Sequence, residues 1–236
     1  VSDIHANLEA LAAVFGRLAA SDSVLCLGDI VGYGPDPNAC VDLVRARALE
    51  TVLGNHDVAA IDGHGLDYFN GPAREALEWT QKVLDEGNGA WLDGLAYEAR
   101  LPDFLLVHGA PVDYFKYILD VSAAAEAFAD TDAPLVFIGH SHIAEFYALG
   151  PGGDIRHEQR QHGGELVLEA GTRYIVNPGS VGQPRDRNPD ASFAFYDQQA
   201  GRIQWQRVPY EIGAVQEKMA AAHLPDSGAR RLAVGR

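Results

Sequence analysis

Hydrophobic positions along this chain fall into two rhythms that take turns. In residues 7–20, NLEALAAVFGRLAA, they recur at helical spacing behind Asn7, a residue suited to an N-cap. SVLCLGD (23–29) is a short apolar strand that ends in Gly-Asp. DPNACVDLVRAR (36–47) reads as a helix opened by Asp36-Pro37, and ETVLGNHD (50–57) returns to strand, then glycine, then polar residues. This alternation predicts parallel strands joined by crossover helices. Further helices are expected over 71–84, 88–94 and 121–130, and apolar strands over 96–101, 104–109 and 134–142. Beyond residue 142 the rhythm changes to alternating strands at 143–149, 155–161, 165–169, 173–176, 191–197 and 202–208. GPGGD and QQAGR supply turns among them. A last helix spans 210–222, and 224–236 reads as a loose tail. With no repeat and no linker, residues 1–236 are expected to form one α/β domain, parallel strands first and antiparallel strands later.

Composition narrows the partners. The 236 residues carry 33 acidic and 18 basic side chains, a net charge of −15, and no Lys/Arg run offsets it. Such a chain repels nucleic acid polymers and anionic lipid. No apolar run approaches the length of a bilayer span, and no intact signal peptide is visible. Two cysteines cannot build a disulfide framework, so a reducing cytoplasm is the expected compartment, with Cys26 a small buried hydrophobe. Arginine far outnumbers lysine, which occurs only at 82, 116 and 218, a bias that fits a GC-rich bacterial source.

Candidate chemistry sits where the strands stop. VSDIH delivers Asp3 and His5, LCLGD delivers Asp29, and VLGNHD delivers Asn55, His56 and Asp57. LLVHG delivers His108, and VFIGHSH delivers His140 and His142. Polar groups at the C-terminal ends of parallel strands converge on one crevice. The pairs Asp3/His5 and His140/His142 are two residues apart, so an extended chain aims both members the same way. Two aspartates, an asparagine and four histidines are too many donors for one metal. One bridging carboxylate lets them hold two ions roughly 3.5–4 Å apart, and the donor types suit Mn, Fe, Zn, Co or Ni.

The order D-x-H, G-D, G-N-H-D, H, G-H-S-H resembles the calcineurin-like metallophosphoesterase superfamily. GDIVGYGPDP and NPGSVGQPRD (177–186) are similar to its small bacterial members, described as phosphodiesterases or diadenosine-tetraphosphatase-like proteins. The resemblance runs from Ser2 to about Arg185. It implies a four-layer αββα sandwich of two mixed β-sheets flanked by helices, with a binuclear metal site at the strand ends. Asp3, His5 and His142 would hold one ion, Asn55, His108 and His140 the other, with Asp29 bridging and Mn the leading metal. Relatives carry several apolar residues before SDIH, so the first strand is expected to be truncated at Val1.

By the same pattern His56 faces the substrate, stabilising phosphoryl oxygens or protonating the leaving group, while Asp57 accepts from its ring and sets the tautomer. Asn7 is either a helix cap or a contact to a substrate oxygen. Arg185 is either a phosphate clamp or a surface ion pair. Tyr33, Tyr114, Phe115 and Tyr117 either stack on a base or aryl group or pack the loops, and Asn177 shapes the loop beneath the site. The implied reaction is in-line attack at phosphorus by a metal-bridging hydroxide.

The second and third motifs lack the arginine and glutamate of the superfamily's protein phosphatases. The basic regions of its nucleases are also absent. What remains is hydrolysis of a small phosphodiester or nucleotide. A phosphomonoester or dinucleoside polyphosphate is the alternative, and homo-oligomerisation is left open. A non-catalytic scaffold, the other class on this fold, is disfavoured because every ligand and His56 are present.

Overall fold

The computed structural model describes residues 1–236, and its element order follows the hydrophobic rhythm. The first half holds α1 (Leu8–Phe15), β1 (Val24–Cys26), α2 (Pro37–Arg47), β2 (Ala48–Thr51), α3 (Asn55–Asp62), α4 (Gly71–Val83) and α5 (Glu86–Asp93). There follow β3 (Glu98–Arg100), β4 (Leu105–Val107), α6 (Val121–Ala129) and β5 (Leu135–Phe137). The strand-rich part comprises β6 (Ala144–Leu149), β7 (Ile155–Gln159), β8 (Gly164–Val167), β9 (Arg173–Pro178), β10 (Ala191–Asp197) and β11 (Arg202–Val208). Two helices close the chain, α7 (Ile212–Ala221) and α8 (Asp226–Leu232).

Helix starts follow local chemistry. The side chains of Asn7, Asn70 and Asp120 accept from Ala10, Ala73 and Ala123 N–H groups at the heads of α1, α4 and α6. Each such cap stabilises its helix by about 1 kcal/mol.

The strands form two stacked sheets. One has six strands in the order β3-β4-β5-β9-β6-β7, with β4, β5 and β9 parallel and the flanking pairs antiparallel. The other is assembled from the parallel pair β1-β2 and the antiparallel trio β10-β11-β8. Residues 1–3 and 180–182 join these pieces, through Leu27 N–H to Val1 O, Val181 N–H to Ser2 O and Ser192 N–H to Ser180 O.

Three apolar layers hold the stack together. Leu106, Phe137, Phe146, Val176, Ile203 and Trp205 fill the space between the sheets. Leu11, Val14, Val41, Val44 and Leu77 pack helices over one outer face, and Ala124 and Phe128 of α6 cover the other with Val136 and Ile175. This is the expected αββα sandwich. Between the sheets the buried Trp205 indole donates to Asn177 O at 2.8 Å, tying the core to the loop beneath the strand ends.

Two expectations need correction. The chain after Leu53 does not continue as strand and loop, because α3 starts at Asn55. Residues 224–236 are not a loose tail. α8 buries Leu232 beside Val215, Met219 and Leu224, and Gln216 donates to Ala229 O at 2.8 Å.

Candidate metal centre

Every donor-bearing segment leaves a strand end and turns at once. Asp3, His5, Asp29, His140 and His142 all adopt left-handed backbone, with φ of 52°, 49°, 53°, 65° and 60°. The side chains therefore converge through tight turns, and the extended-chain expectation for Asp3/His5 and His140/His142 is wrong in mechanism. Such conformations cost on the order of 1–3 kcal/mol each and persist only where neighbours enforce them. Here Asp3, His5 and Ala6 N–H groups donate to Gly28, Asp29 and Ile30 carbonyls at 3.1, 2.9 and 2.8 Å. Gly54 is required by close approach, since a Cβ there would run into Asp29 Oδ1 and the Asp29 backbone nitrogen.

The turns assemble two donor sets, one of Asp3, His5, Asp29 and His142, the other of Asp29, His108 and His140. His5 and His142 bring their Nε2 atoms to 3.1 Å, and His142 Nε2 lies 3.3 Å from Asp3 Oδ1. Asp29 Oδ2 is 3.7 Å from His5 Nε2 and 3.3 Å from His108 Nε2, so it belongs to both sets. Its Oδ1 accepts from His56 N–H at 2.8 Å, which fixes the carboxylate.

The outer nitrogens of the histidines are committed. Nδ1 of His5, His108 and His142 lies 3.1, 2.6 and 2.6 Å from the carbonyls of Val31, Leu27 and Gln183. A proton on each Nδ1 leaves an Nε2 lone pair facing inward, the arrangement metal-binding imidazoles use.

Among the buried side-chain atoms without a hydrogen-bond partner are Asp29 Oδ2, His108 Nε2 and the Asn55 oxygen. Unpaired buried polar atoms cost roughly 1–3 kcal/mol each. Cations would satisfy all three. The titration behaviour agrees: burial, reinforced by the Asp29 charge, lifts Asp3 to about 6 and Asp57 to about 7. Burial also works against the charged form of His108, but Asp29 and Asp3 prevail and raise it to about 9. A buried anionic centre short of positive charge fits divalent cations at the two Asp/His sets that share Asp29.

The remaining candidates separate. His56 lines the cavity above the donors, its ring centroid 4.7 Å from His5 and from Phe69 and 4.5 Å from Tyr33. Burial lowers it to about 4, with Asp29 opposing and Arg185 and His108 adding to the drop, so the imidazole is neutral. Its Nδ1 is buried without a hydrogen-bond partner.

Asp57 does not bond the His56 ring. Its Oδ1 accepts from Ile30 and Val31 N–H at 2.9 and 3.1 Å, and its Oδ2 from Gly54 N–H at 3.1 Å. Asp57 occupies the third helical position of α3, where a carboxylate caps its own helix and binds the neighbouring loop. Asn7 does not face the cavity either. Its oxygen caps α1 and its amide donates to Gly182 O at 2.9 Å.

Arg185 does line the cavity. Its guanidinium reaches Gln183 Oε1 at 3.2 Å and the Tyr33 hydroxyl at 3.4 Å, with Nε buried and unpartnered. Asn177 supports the 139–142 loop, donating to Gly139 O at 2.7 Å and Ser141 Oγ at 3.0 Å.

The cavity has a volume of about 510 Å³. Tyr33, Phe115 and Tyr117 are on its wall, and Tyr117 stacks on His140 at 3.7 Å. Tyr114 turns away, stacking on Tyr97. Sequence reasoning missed Tyr68, Phe69, Asn70, His64 and Arg231, which also line it. His64 follows α3, and Arg231 falls in the basic last turn of α8, which the tail reading concealed.

Two face-packed sheets between helices, gathering two Asp/His donor sets at their strand ends, define a metal-binding phosphoester hydrolase. The chain belongs to the calcineurin-like phosphoesterase superfamily, whose domain residues 1–201 match. A metallophosphoesterase from Sphaerobacter thermophilus is 38% identical and superposes with a TM-score of 0.90, covering 100% of this chain and 98% of that one. An uncharacterized protein of Methanocaldococcus jannaschii is 37% identical over 244 residues, covering 100% of this chain and 97% of that protein. A hypothetical protein from Pyrococcus horikoshii OT3, 17% identical with a TM-score of 0.79 over 100% of this chain and 97% of that one, shares the fold. No helix is long and apolar enough to cross a membrane.

Proposed function

We propose that this protein hydrolyses small phosphodiesters, with two Mn²⁺ ions held by Asp3, His5 and His142 and by Asn55, His108 and His140 on either side of Asp29. One observation carries the proposal: Asp29 lines the cavity, and its Oδ2 accepts no hydrogen bond yet lies within 3.7 Å of a histidine nitrogen from each set. When bound, the ions supply Lewis-acid charge at a phosphoryl oxygen and an acidified water.

The protein's own groups do the rest. His56, neutral and on the cavity wall, donates a hydrogen bond from its ring N–H to a phosphoryl oxygen as charge develops there. That role replaces leaving-group protonation, because burial holds the ring below its charged range. Arg185 offers a second donor with no carboxylate competing for it. The volume of about 510 Å³ suits a small molecule.

Aromatic wall comes from two separate segments, Tyr68 and Phe69 after α3 and Phe115 and Tyr117 after β4. A diester has an arm for each. The surrounding charge of −15 disfavours long polyanions. A cytoplasmic enzyme of bacterial type fits the cysteine usage and composition.

The test is a substrate panel with Mn²⁺. Bis(p-nitrophenyl) phosphate should be cleaved faster than p-nitrophenyl phosphate, and duplex DNA should survive at physiological salt. Preference for the monoester overturns the diester assignment, and efficient plasmid cutting overturns the electrostatic argument.

A further inference from the structure

Arg231 shares the cavity with Arg185, although the two come from distant parts of the chain. Neither guanidinium pairs with an Asp or Glu side chain, and of the Arg231 nitrogens Nε donates to Arg236 O. Nearby arginines are paired: Arg207 with the buried Asp186, and Arg230 with Asp226 at 3.9 Å. Two like charges facing one cavity, in a chain with 33 acidic residues, is an arrangement that an anion would relieve.

The two arginines are also held in register with each other. The Arg185 N–H donates to His142 O at 3.2 Å, and the next residue, Asp186, is anchored by Arg207. Arg187 N–H donates to Gly235 O at 2.7 Å, which pins the chain after α8 to the same loop. Gly235 adopts φ +61°, and a Cβ there would lie 2.6 Å from the Asn188 carbonyl. α8 itself is fixed through Leu232, and Gly228 lets Met219 approach to 3.3 Å of where a Cβ would stand.

A smaller cavity of about 170 Å³ adjoins the first, and Tyr33, Asn70 and Arg231 line both. The groove therefore runs from the donor sets past Arg185 and Tyr33 to Arg231. Burial, with the Arg185 charge, holds the Arg231 guanidinium below its usual value.

We infer that Arg231, beyond Arg185 along the groove from the donor sets, provides a second anion subsite, so that the preferred substrate is a phosphoester carrying a second, non-reacting phosphate, as nucleotides do. This rests on the phosphoesterase reading and names its substrate class. Arg231 then acts as a specificity residue, contacting the distal phosphate and not the reacting one.

The test compares two matched esters on the full-length chain with Mn²⁺: thymidine 5′-(p-nitrophenyl phosphate), and the same ester bearing a 3′-phosphate. The bisphosphate should show a KM roughly 10- to 100-fold lower, the effect of one charge-assisted pair. Arg231→Ala should collapse that ratio to under about threefold, and Arg231→Lys should restore part of it. Equal KM values in the parent protein, or a ratio unchanged in Arg231→Ala, overturn the subsite.

Calorimetric binding of thymidine 3′,5′-bisphosphate against thymidine 5′-monophosphate separates this from the chemistry. A preference that Arg231→Ala abolishes, in protein that hydrolyses neither ester, keeps the subsite and removes the hydrolase reading. Equal affinities for the two nucleotides remove the subsite.

Discussion

Asp3, His5 and His142 all carry left-handed backbone, whereas across Asp29 from them His140 does and Asn55 and His108 do not. Asn55 sits in the first turn of α3, and His108 leaves β4 in ordinary geometry. Charge divides the sets too. Counting the shared Asp29, the first has two carboxylates and the second has one, and the proposed assignment adds the neutral Asn55 amide to the second. The first set thus holds more of the backbone strain and the negative charge, and the second, with Asn55 in its proposed place, has a helix start and an uncharged oxygen. On charge alone, a divalent ion is held more firmly by the first. The second retains more net positive charge for an anionic substrate.

The sharpest break in this comparison is to remove the residue both sets share. Asp29→Ala should take the metal content from two ions per chain to fewer than one and lower activity by more than about 10⁴-fold, beyond what a single acid–base group supplies. Elemental analysis beside the diester assay reads both effects.

His56→Ala should leave both ions in place yet cost roughly 10²–10³-fold in kcat, the price of one preorganised donor. The ring is held at about 4, a lowered value, so it is already neutral at pH 5 and stays so to pH 8. Rising pH in that window should therefore bring no loss of activity that His56→Ala removes. Such a loss would make His56 a cationic acid.

Asn55→Ala isolates the second set. The ion beside His108 and His140 should weaken by at least the roughly 10–100-fold that follows loss of a supporting partner, while the ion beside Asp3 is retained. Equal weakening of both ions would erase the distinction between the sets.

The smallest effect concerns Asp57, which supports the second set from beneath. Asp57→Asn retains one accepting oxygen and should cost about 1–3 kcal/mol in urea unfolding, with metal content and pH profile unchanged. An altered pH profile would restore Asp57 as the partner of His56.

How much of this was legible in the sequence depended on range. The strand ends were plain because apolar runs stopping at Gly-Asp, Gly-Asn-His-Asp and Gly-His-Ser-His are unusual, and their spacing brought together Asp3, His5, Asp29, His108, His140 and His142. The left-handed turns at those residues were hidden, because they are imposed by hydrogen bonds to Gly28, Asp29 and Ile30 from a neighbouring segment. α3 was missed where a local signal existed: Asp57 three residues after Gly54 is a capping arrangement, overshadowed by the preceding strand. In α8 too, Asp226 in the first turn and Arg230 and Arg231 in the last mark a helix, but its stability comes from Val215 and Met219 of α7. The roles of Asn7 and Asp57 were indistinguishable from substrate chemistry until their partners were known.

Anomalous diffraction from crystals grown with Mn²⁺ tests the central claim most directly. Two peaks roughly 3.5–4 Å apart should appear with the Asp29 carboxylate between them, Asn55 on the side of His108 and His140. A single peak among Asp3, His5 and His142, with Asn55 and His108 turned from it, would contradict the binuclear account.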